Sequence, residues 1–374
     1  MKKFIIFTLI FGFIFSFSVS AEESDANYKN DLYIEQYKTS GADKLDDFLP
    51  NQTADLLNDL GIDIMHTDTI FSGGSKNILE VIFDFLKSGA TAPLKVTISV
   101  MGILIIFSAV EGFANNSASS FITVFVCFLG SLTLLCPIFN LISAVQQAVK
   151  AITSFMISFV PIYAGISMSG GYTASAGGFS ALLLAGTEII SWFISYLFIP
   201  ISGASMCLGI CGTLSPIPIA GRISEFIKKT SLWSMGIAVA IFSGILSVQT
   251  AVTNASDTLG IRTSKAVLSS TIPVMGPAIA ETLNTARGCL TLLRSGVGIY
   301  GAAAVLLIGL PIITELALWR ISMWILGGTA EILNLNKTAP LFRYIDFCLA
   351  ILLGAVSFTA LIFIIALTVT IKAG

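Results

Sequence analysis

The 374-residue chain has few charged residues and almost no histidine. Charged residues make up 11% of the sequence, hydrophobic residues make up 55%, and the single histidine is His66. A soluble domain carries roughly a quarter charged residues, so water cannot solvate most of this chain. The composition predicts a protein that lies largely within a membrane.

The chain also lacks the motifs of several enzyme classes. The apolar body after residue 88 contains no histidine, whereas zinc proteases need HExxH and serine hydrolases usually need a histidine base. The sequence contains no P-loop motif of the kind that binds nucleotide phosphates. We therefore expect no catalytic residue, no metal site and no cofactor, and we predict a protein that is not an enzyme.

The six cysteines do not form a disulfide framework. All of them lie in the apolar body, and none lies in residues 22–88, where oxidation would occur after export. Cys207 and Cys211 share a helix face, but no histidine stands near them. Packing of small side chains explains this pair better than a metal site.

The first 21 residues have the layout of a secretory signal peptide. Lys2 and Lys3 precede an apolar run, and Ala21 is small enough for the cleavage position. The alternative is an uncleaved first membrane helix. Residues 22–88 follow with 14 acidic and 5 basic side chains. Either alternative places this acidic segment outside the cytoplasm, and its composition predicts a short, partly disordered region.

Residues 89–374 are predicted to form a helical membrane domain. A helix needs about 20 apolar residues to cross a bilayer. Seven windows qualify, with an uncertainty of one: 94–113, 121–145, 151–168, 179–213, 232–252, 297–318 and 347–371. The predicted fold class is all-α, a polytopic helical membrane protein with prolines that kink several spans. The basic residues between the windows do not settle the orientation.

Two acidic residues lie inside these apolar windows. Glu188 has no basic residue within a helical turn, and Glu315 precedes Arg320 by five positions. A carboxylate within the bilayer is costly unless it is paired or neutral. For Glu188, a polar pathway or a subunit contact is as good an explanation as a neutral, hydrogen-bonded side chain. For Glu315 we favour an interfacial position.

The stretch SSTIPVMGPA at 269–278 interrupts a helical pattern. Pro273 lacks an N–H, and Gly276 can adopt a positive φ, so the backbone can turn tightly there. We predict two amphipathic helices, 257–271 and 278–295, that lie in the interface or form a re-entrant segment. A re-entrant break would have to line a pathway or a subunit interface. The alternative is an amphipathic loop on the membrane surface.

Residues 242–301 carry a distinctive pattern of polar and small residues. The pattern resembles the central signature of the stage III sporulation protein AE family of endospore-forming bacteria. Arg294 stands where the family pattern leads us to expect a lysine, and it keeps the charge. The other matching positions are Gly244, Leu246, Ser247, Val248, Gln249, Asp257, Arg262, Thr263, Lys265, Ala266, Ile272, Pro273, Val274, Gly276, Gly296 and Gly301.

The resemblance implies a role that composition cannot show. It implies a permease-like core component of a secretion or feeding channel in the mother-cell membrane that surrounds the forespore. The implied partners are the ATPase stage III sporulation protein AA, the ring-forming proteins AG and AH, further membrane subunits and stage II sporulation protein Q, besides membrane lipid. Nucleic acid is not an implied partner. A secondary transporter of small solutes and a non-conducting scaffold remain as alternatives.

These arguments single out nine candidate functional or interface residues. Two are the acidic residues within apolar windows, and the others belong to the 242–301 pattern. They are Glu188, Gln249, Asp257, Arg262, Lys265, Pro273, Gly276, Arg294 and Glu315.

Overall fold

The structure is a computed structural model of the chain. It describes residues 26–62, 64, 74–111, 116–214, 219–271, 276–335 and 338–372. These residues are almost entirely helical, and no strand occurs among them. The predicted all-α fold class is therefore confirmed. The proposed signal peptide at 1–21 lies outside the described residues.

The described ranges contain ten α-helices, numbered here in chain order. Two short 3₁₀ turns lie between the first and second helices. The ten helices are α1 Ala26–Thr39, α2 Asn51–Asp59, α3 Gly74–Gly89, α4 Thr91–Glu111, α5 Asn116–Ser169, α6 Thr173–Phe193, α7 Ile199–Leu214, α8 Ile219–Thr271, α9 Gly276–Ile332 and α10 Ala339–Lys372.

Six helical stretches in the described part of the chain are long and apolar enough to cross a membrane. They are α4, most of α5, α6 together with α7, most of α8, most of α9, and α10. The windows predicted at 121–145 and 151–168 both fall within α5, a single helix of 54 residues. Pro137 and Pro161 lie inside this helix without ending it. Neighbouring groups can satisfy the backbone carbonyls that a proline leaves unpaired.

The predicted division at Pro200 takes the form of a widened turn rather than a break. Pro200 has no N–H to bond the carbonyl of Tyr196, and its ring crowds that carbonyl. The helix widens to a π-type turn over Ile194–Phe198, directly before the proline, and then continues as α7. This turn is the only irregularity between α6 and α7, so the two helices form one continuous apolar stretch.

The centre of the bundle is the antiparallel pair of α9 and α10. The most apolar window of α10 is 72% buried, whereas that of α8 is only 11% buried. The difference follows from sequence, because α10 is apolar on all sides between Phe347 and Ile371 and can be surrounded. Helix α8 lies at the periphery, where it packs against α10, α7 and α6.

An ionic cluster holds α8, α9 and α10 together at one end of the bundle. Arg320 Nε lies 2.7 Å from Asp346 Oδ1, and Lys228 Nζ lies 3.7 Å from Asp346 Oδ2. Lys228 also stands 4.1 Å from the ring centroid of Phe347. Asp346 thereby bridges two cations from two other helices.

The helical break that the sequence predicts within 269–278 stays a prediction. Helix α8 ends at Thr271 and α9 begins at Gly276; residues 272–275, with Pro273, lie outside the described part. The flanking segments are not separate short helices, however. Each is the end of a helix of more than 50 residues. No proline interrupts α8, and Pro311 lies inside α9 without ending it.

The acidic N-terminal segment packs along the first half of α9. Tyr300 of α9 donates a hydrogen bond to Asp46, and Gln36 Nε2 donates to the carbonyl of Ala286 at 3.5 Å. Leu45 and Leu57 are fully buried in this contact region. The segment from Ala26 to Ile62 therefore has a defined place against the bundle, and its location outside the cytoplasm stays a prediction.

Candidate functional site

A tight turn joins α5 to α6 and forms one wall of a buried polar cluster. Gly171 in this turn has φ +90°, a conformation that favours glycine. A Cβ atom at this position would stand 3.5 Å from Nε of Arg287, so the turn lies directly against α9. The glycine thus permits the turn.

Asp257 caps the start of α6 from a different helix. The residue before α6, Tyr172, supplies no side-chain cap, and the first turn of α6 contains no acidic residue. The carboxylate of Asp257, on α8, accepts hydrogen bonds from the backbone N–H groups of Ala174 and Ser175, both at 2.8 Å. The first N–H groups of a helix need such acceptors, and the helix dipole favours a negative charge there.

Arg294 on α9 is the cationic member of the cluster. It is 4% exposed, as is Asp257. Its Nε donates to the hydroxyl of Tyr163 at 3.3 Å, and its Nη2 donates to the carbonyl of Thr370 at 2.8 Å. The guanidinium also stands 4.7 Å from the ring centroid of Tyr172, a cation–π distance. Arg294 therefore joins α9 to α5 and α10.

A small polar cavity completes the cluster. Ser175 donates to the side-chain oxygen of Asn254 at 3.0 Å, and both residues line the cavity together with Gln249 and Arg294. Gln249 lies so close to α6 that a Cβ atom on Gly178 would stand 2.5 Å from its Nε2. The cavity has room for about one water molecule. Nη1 of Arg294 is buried without a partner among the described protein atoms.

The cluster is suited to hold helices together rather than to carry out a reaction. Asp257 and Arg294 are opposite charges in one buried site, yet they form no ion pair with each other. Asp257 accepts from backbone N–H groups, whereas Arg294 donates to a hydroxyl and a carbonyl and has one nitrogen without a partner in the described structure. Within the described ranges, no group of three potential metal ligands occurs. The arrangement fixes the α5–α6 turn to α8, α9 and α10.

The structure brings three of the nine candidate residues together. Gln249, Asp257 and Arg294 belong to the cluster. The remaining candidates lie elsewhere. Arg262 is exposed further along α8, Glu188 is exposed on α6, and Glu315 is half-buried on α9 without an ion pair in the described structure. Gly276 begins α9, whereas Pro273 and the side chain of Lys265 lie outside the described part.

Sequence reasoning missed several cluster members. Tyr163, Tyr172 and Thr370 belong to other helices and lie far from 242–301 in the sequence. The available signal was weak, because a tyrosine or threonine in an apolar window commonly bonds to its own helix or lies at the membrane interface. Arg294 faces inward on α9, where Tyr163 and Thr370 supply its hydrogen-bond partners.

Comparison with known proteins identifies the family. The family model described as stage III sporulation protein AE matches residues 62–374, which include every member of the cluster. The chain belongs to the stage III sporulation protein AE family. Stage III sporulation protein AE of Bacillus subtilis (strain 168) is 27% identical over 240 residues, which cover 62% of this chain and 58% of that protein. No solved structure matches the chain.

This member of the stage III sporulation protein AE family is a multi-pass membrane protein. Its six apolar helical stretches lie mainly within the matched residues. The alignment spans less than two thirds of the curated relative.

Proposed function

We propose that this protein is a membrane-embedded, permease-like core component of a sporulation-specific channel between mother cell and forespore. It would be required for spore development after engulfment. The observation that carries the proposal is membership of the stage III sporulation protein AE family over residues 62–374. Its place would be the mother-cell membrane that surrounds the forespore.

The geometry of the buried cluster favours a role as one component of an assembly rather than a role as a transporter that works alone. A solute transporter needs a binding cavity of substrate size near broken helices. The cavity beside Arg294 has room for about one water molecule, and the larger spaces, beside Arg320 and beside Lys228, are open grooves on the surface of the described part. A channel built around this chain would therefore include other subunits or further copies.

A non-conducting scaffold is the second candidate. The same small cavity favours it, because a scaffold needs fixed helices and no passage of its own. In either role, the proposed partners are the ATPase stage III sporulation protein AA, the ring-forming proteins AG and AH, other membrane subunits and stage II sporulation protein Q. Co-purification of these proteins with the tagged chain from sporulating cells would support this partner set.

Deletion of the gene tests the proposed role. We expect vegetative growth at the normal rate and a block in spore development after engulfment, scored by microscopy and by counts of heat-resistant spores. A copy restored at another locus is the control and should return the wild-type spore count. A deletion strain that sporulates at normal efficiency would overturn the proposal.

A further inference from the structure

Lys150 and Glu188 are isolated charges on the outer surface of the apolar bundle. Lys150 is the only charged residue in the 54 residues of α5. Glu188 is the only charged residue in α6, the π-type turn and α7. Both side chains are exposed. Neither forms an ion pair in the described structure.

Further polar side chains accompany each charge at helical spacing. On α5, Ser143, Gln147 and Ser154 are exposed on the same face as Lys150. On α6, Ser191 follows Glu188 by three positions and is partly exposed. Gln147 donates to Ser143 at 3.3 Å within the stripe on α5, but a charged group in hydrocarbon needs an opposite charge, which neither stripe supplies.

The two charges lie at the same level of the bundle to within about one helical turn. Lys150 is 13 residues from Tyr163, and Glu188 is 13 residues from Ser175; both reference residues belong to the buried cluster. At 1.5 Å per residue, each charge therefore lies about 20 Å along the bundle from that cluster. Both positions lie within helical stretches that are apolar enough to cross a membrane.

We propose that the α5–α6 face is a contact between copies of this chain, in which Lys150 of one copy pairs with Glu188 of another. Ionisable residues within membrane spans almost always pair or face the protein interior. A second copy supplies the required opposite charge from the same sequence. The inference concerns assembly alone and holds whether or not the chain conducts.

Symmetry explains why the equal level matters. A rotation axis parallel to the bundle carries every residue to its own level in the neighbouring copy, so only groups at matching levels can pair. Lys150 and Glu188 meet this condition and lie on adjacent helices that pack together. A partner of different sequence would have to carry a cation opposite Glu188 and an anion opposite Lys150, whereas a second copy of this chain already carries both.

Cysteine cross-linking between two tagged chains tests the contact directly. The full-length chain, with its six native cysteines replaced by alanine, would carry Lys150→Cys under one tag and Glu188→Cys under the other. A short bifunctional thiol reagent applied to membranes should join the two tags. Ile241→Cys, exposed on α8, replaces Lys150→Cys in the control and should give no joined product. Absence of the 150–188 product, or equal product from the control, would overturn the proposal.

Charge reversal separates pairing between copies from pairing within one chain. Lys150→Glu and Glu188→Lys should each weaken self-association of the purified full-length chain roughly tenfold, the effect expected for one intramembrane polar contact. Co-expression of the two single variants should restore mixed oligomers, because each then finds its opposite charge in the other chain. If self-association recovers only when one chain carries both changes, Lys150 and Glu188 pair within a chain and the proposal is overturned.

Milder variants keep the test valid if charge reversal prevents insertion. Lys150→Gln and Glu188→Gln remove one charge each and keep most of the side-chain length. Both should insert normally and weaken self-association, and their co-expression should rescue it partly, because each mixed contact keeps one intact pair of Lys150 with Glu188. Self-association equal to that of the unmodified chain in both glutamine variants would show that the charges are not paired between copies. Because these readouts are biochemical, their failure is distinguishable from failure of the proposed sporulation role.

Discussion

Asp257 shows how one carboxylate can fix two helices that are distant in sequence. Its two oxygens accept the first free N–H groups of α6, and its side chain is almost wholly buried. Asp257→Ala removes both acceptors and leaves two buried donors unpaired. We expect a loss of roughly 3 kcal/mol in stability, since hydrogen bonds to charged groups are worth about 1.5–3 kcal/mol each. Thermal unfolding of the detergent-solubilised protein measures this loss.

Two variants sharpen the Asp257 measurement. Asp257→Asn keeps one oxygen acceptor and should fall between the wild type and the alanine variant. Thr258→Ala changes an exposed neighbour whose hydroxyl bonds only to its own helix, at 2.8 Å from the carbonyl of Asn254, and should have little effect. An alanine variant at position 257 that melts with the wild type would show that the cap does not stabilise the bundle.

The sequence alone predicts part of the buried cluster. The 242–301 pattern singles out Gln249, Asp257 and Arg294, and the structure places all three in one buried site. It does not predict their contacts, because Asp257 bonds to N–H groups 82 and 83 residues away. Spacing along one helix indicates which residues share a face and gives no information on which other helix covers it.

At the scale of helices, Tyr344 of α10 packs against glycines on α7 and α8. A Cβ atom on Gly209 or on Gly221 would overlap the side chain of Tyr344. Gly209→Ala and Gly221→Ala should therefore each destabilise the protein by about 1–3 kcal/mol through overpacking. Gly203→Ala on α7 is the matched control, since no atom lies within 4 Å of its Cβ position. Equal melting temperatures for all three variants in thermal unfolding would contradict this packing.

Prediction of spans from hydropathy cannot tell whether two apolar windows belong to one helix or to two. A sliding window detects apolar length, so it finds both 121–145 and 151–168. It does not detect that Lys150 lies inside the single helix α5, because one lysine neither ends a helix nor lowers its helical propensity much. Proline and glycine act on the backbone itself, and the break predicted after Thr271 stays a prediction because residues 272–275 lie outside the described part.

Across the whole molecule, polar groups fall into two sets with different partners. The cluster around Arg294 is satisfied within the chain, apart from one guanidinium nitrogen. Lys150 and Glu188 are exposed and have no ion-pair partner in the described part of the chain. The first set explains how the bundle holds its own helices, and the second indicates that the bundle is completed by another copy.

The predicted break between residues 271 and 278 can be tested with a chemical probe of accessibility. From Asp257 to Thr271, α8 rises about 21 Å, so the break lies well beyond the buried cluster. Irregular backbone at membrane depth persists only where protein covers it or where it lines a cavity. Single cysteines placed through 268–280 in a cysteine-free chain should therefore be shielded from membrane-impermeant thiol reagents at 273–276 and accessible at both ends. The measurement is the labelled fraction at each position in membranes from sporulating cells, with exposed Arg262→Cys as the reactive control. Uniform labelling across the scan would instead show a plain amphipathic loop on the membrane surface.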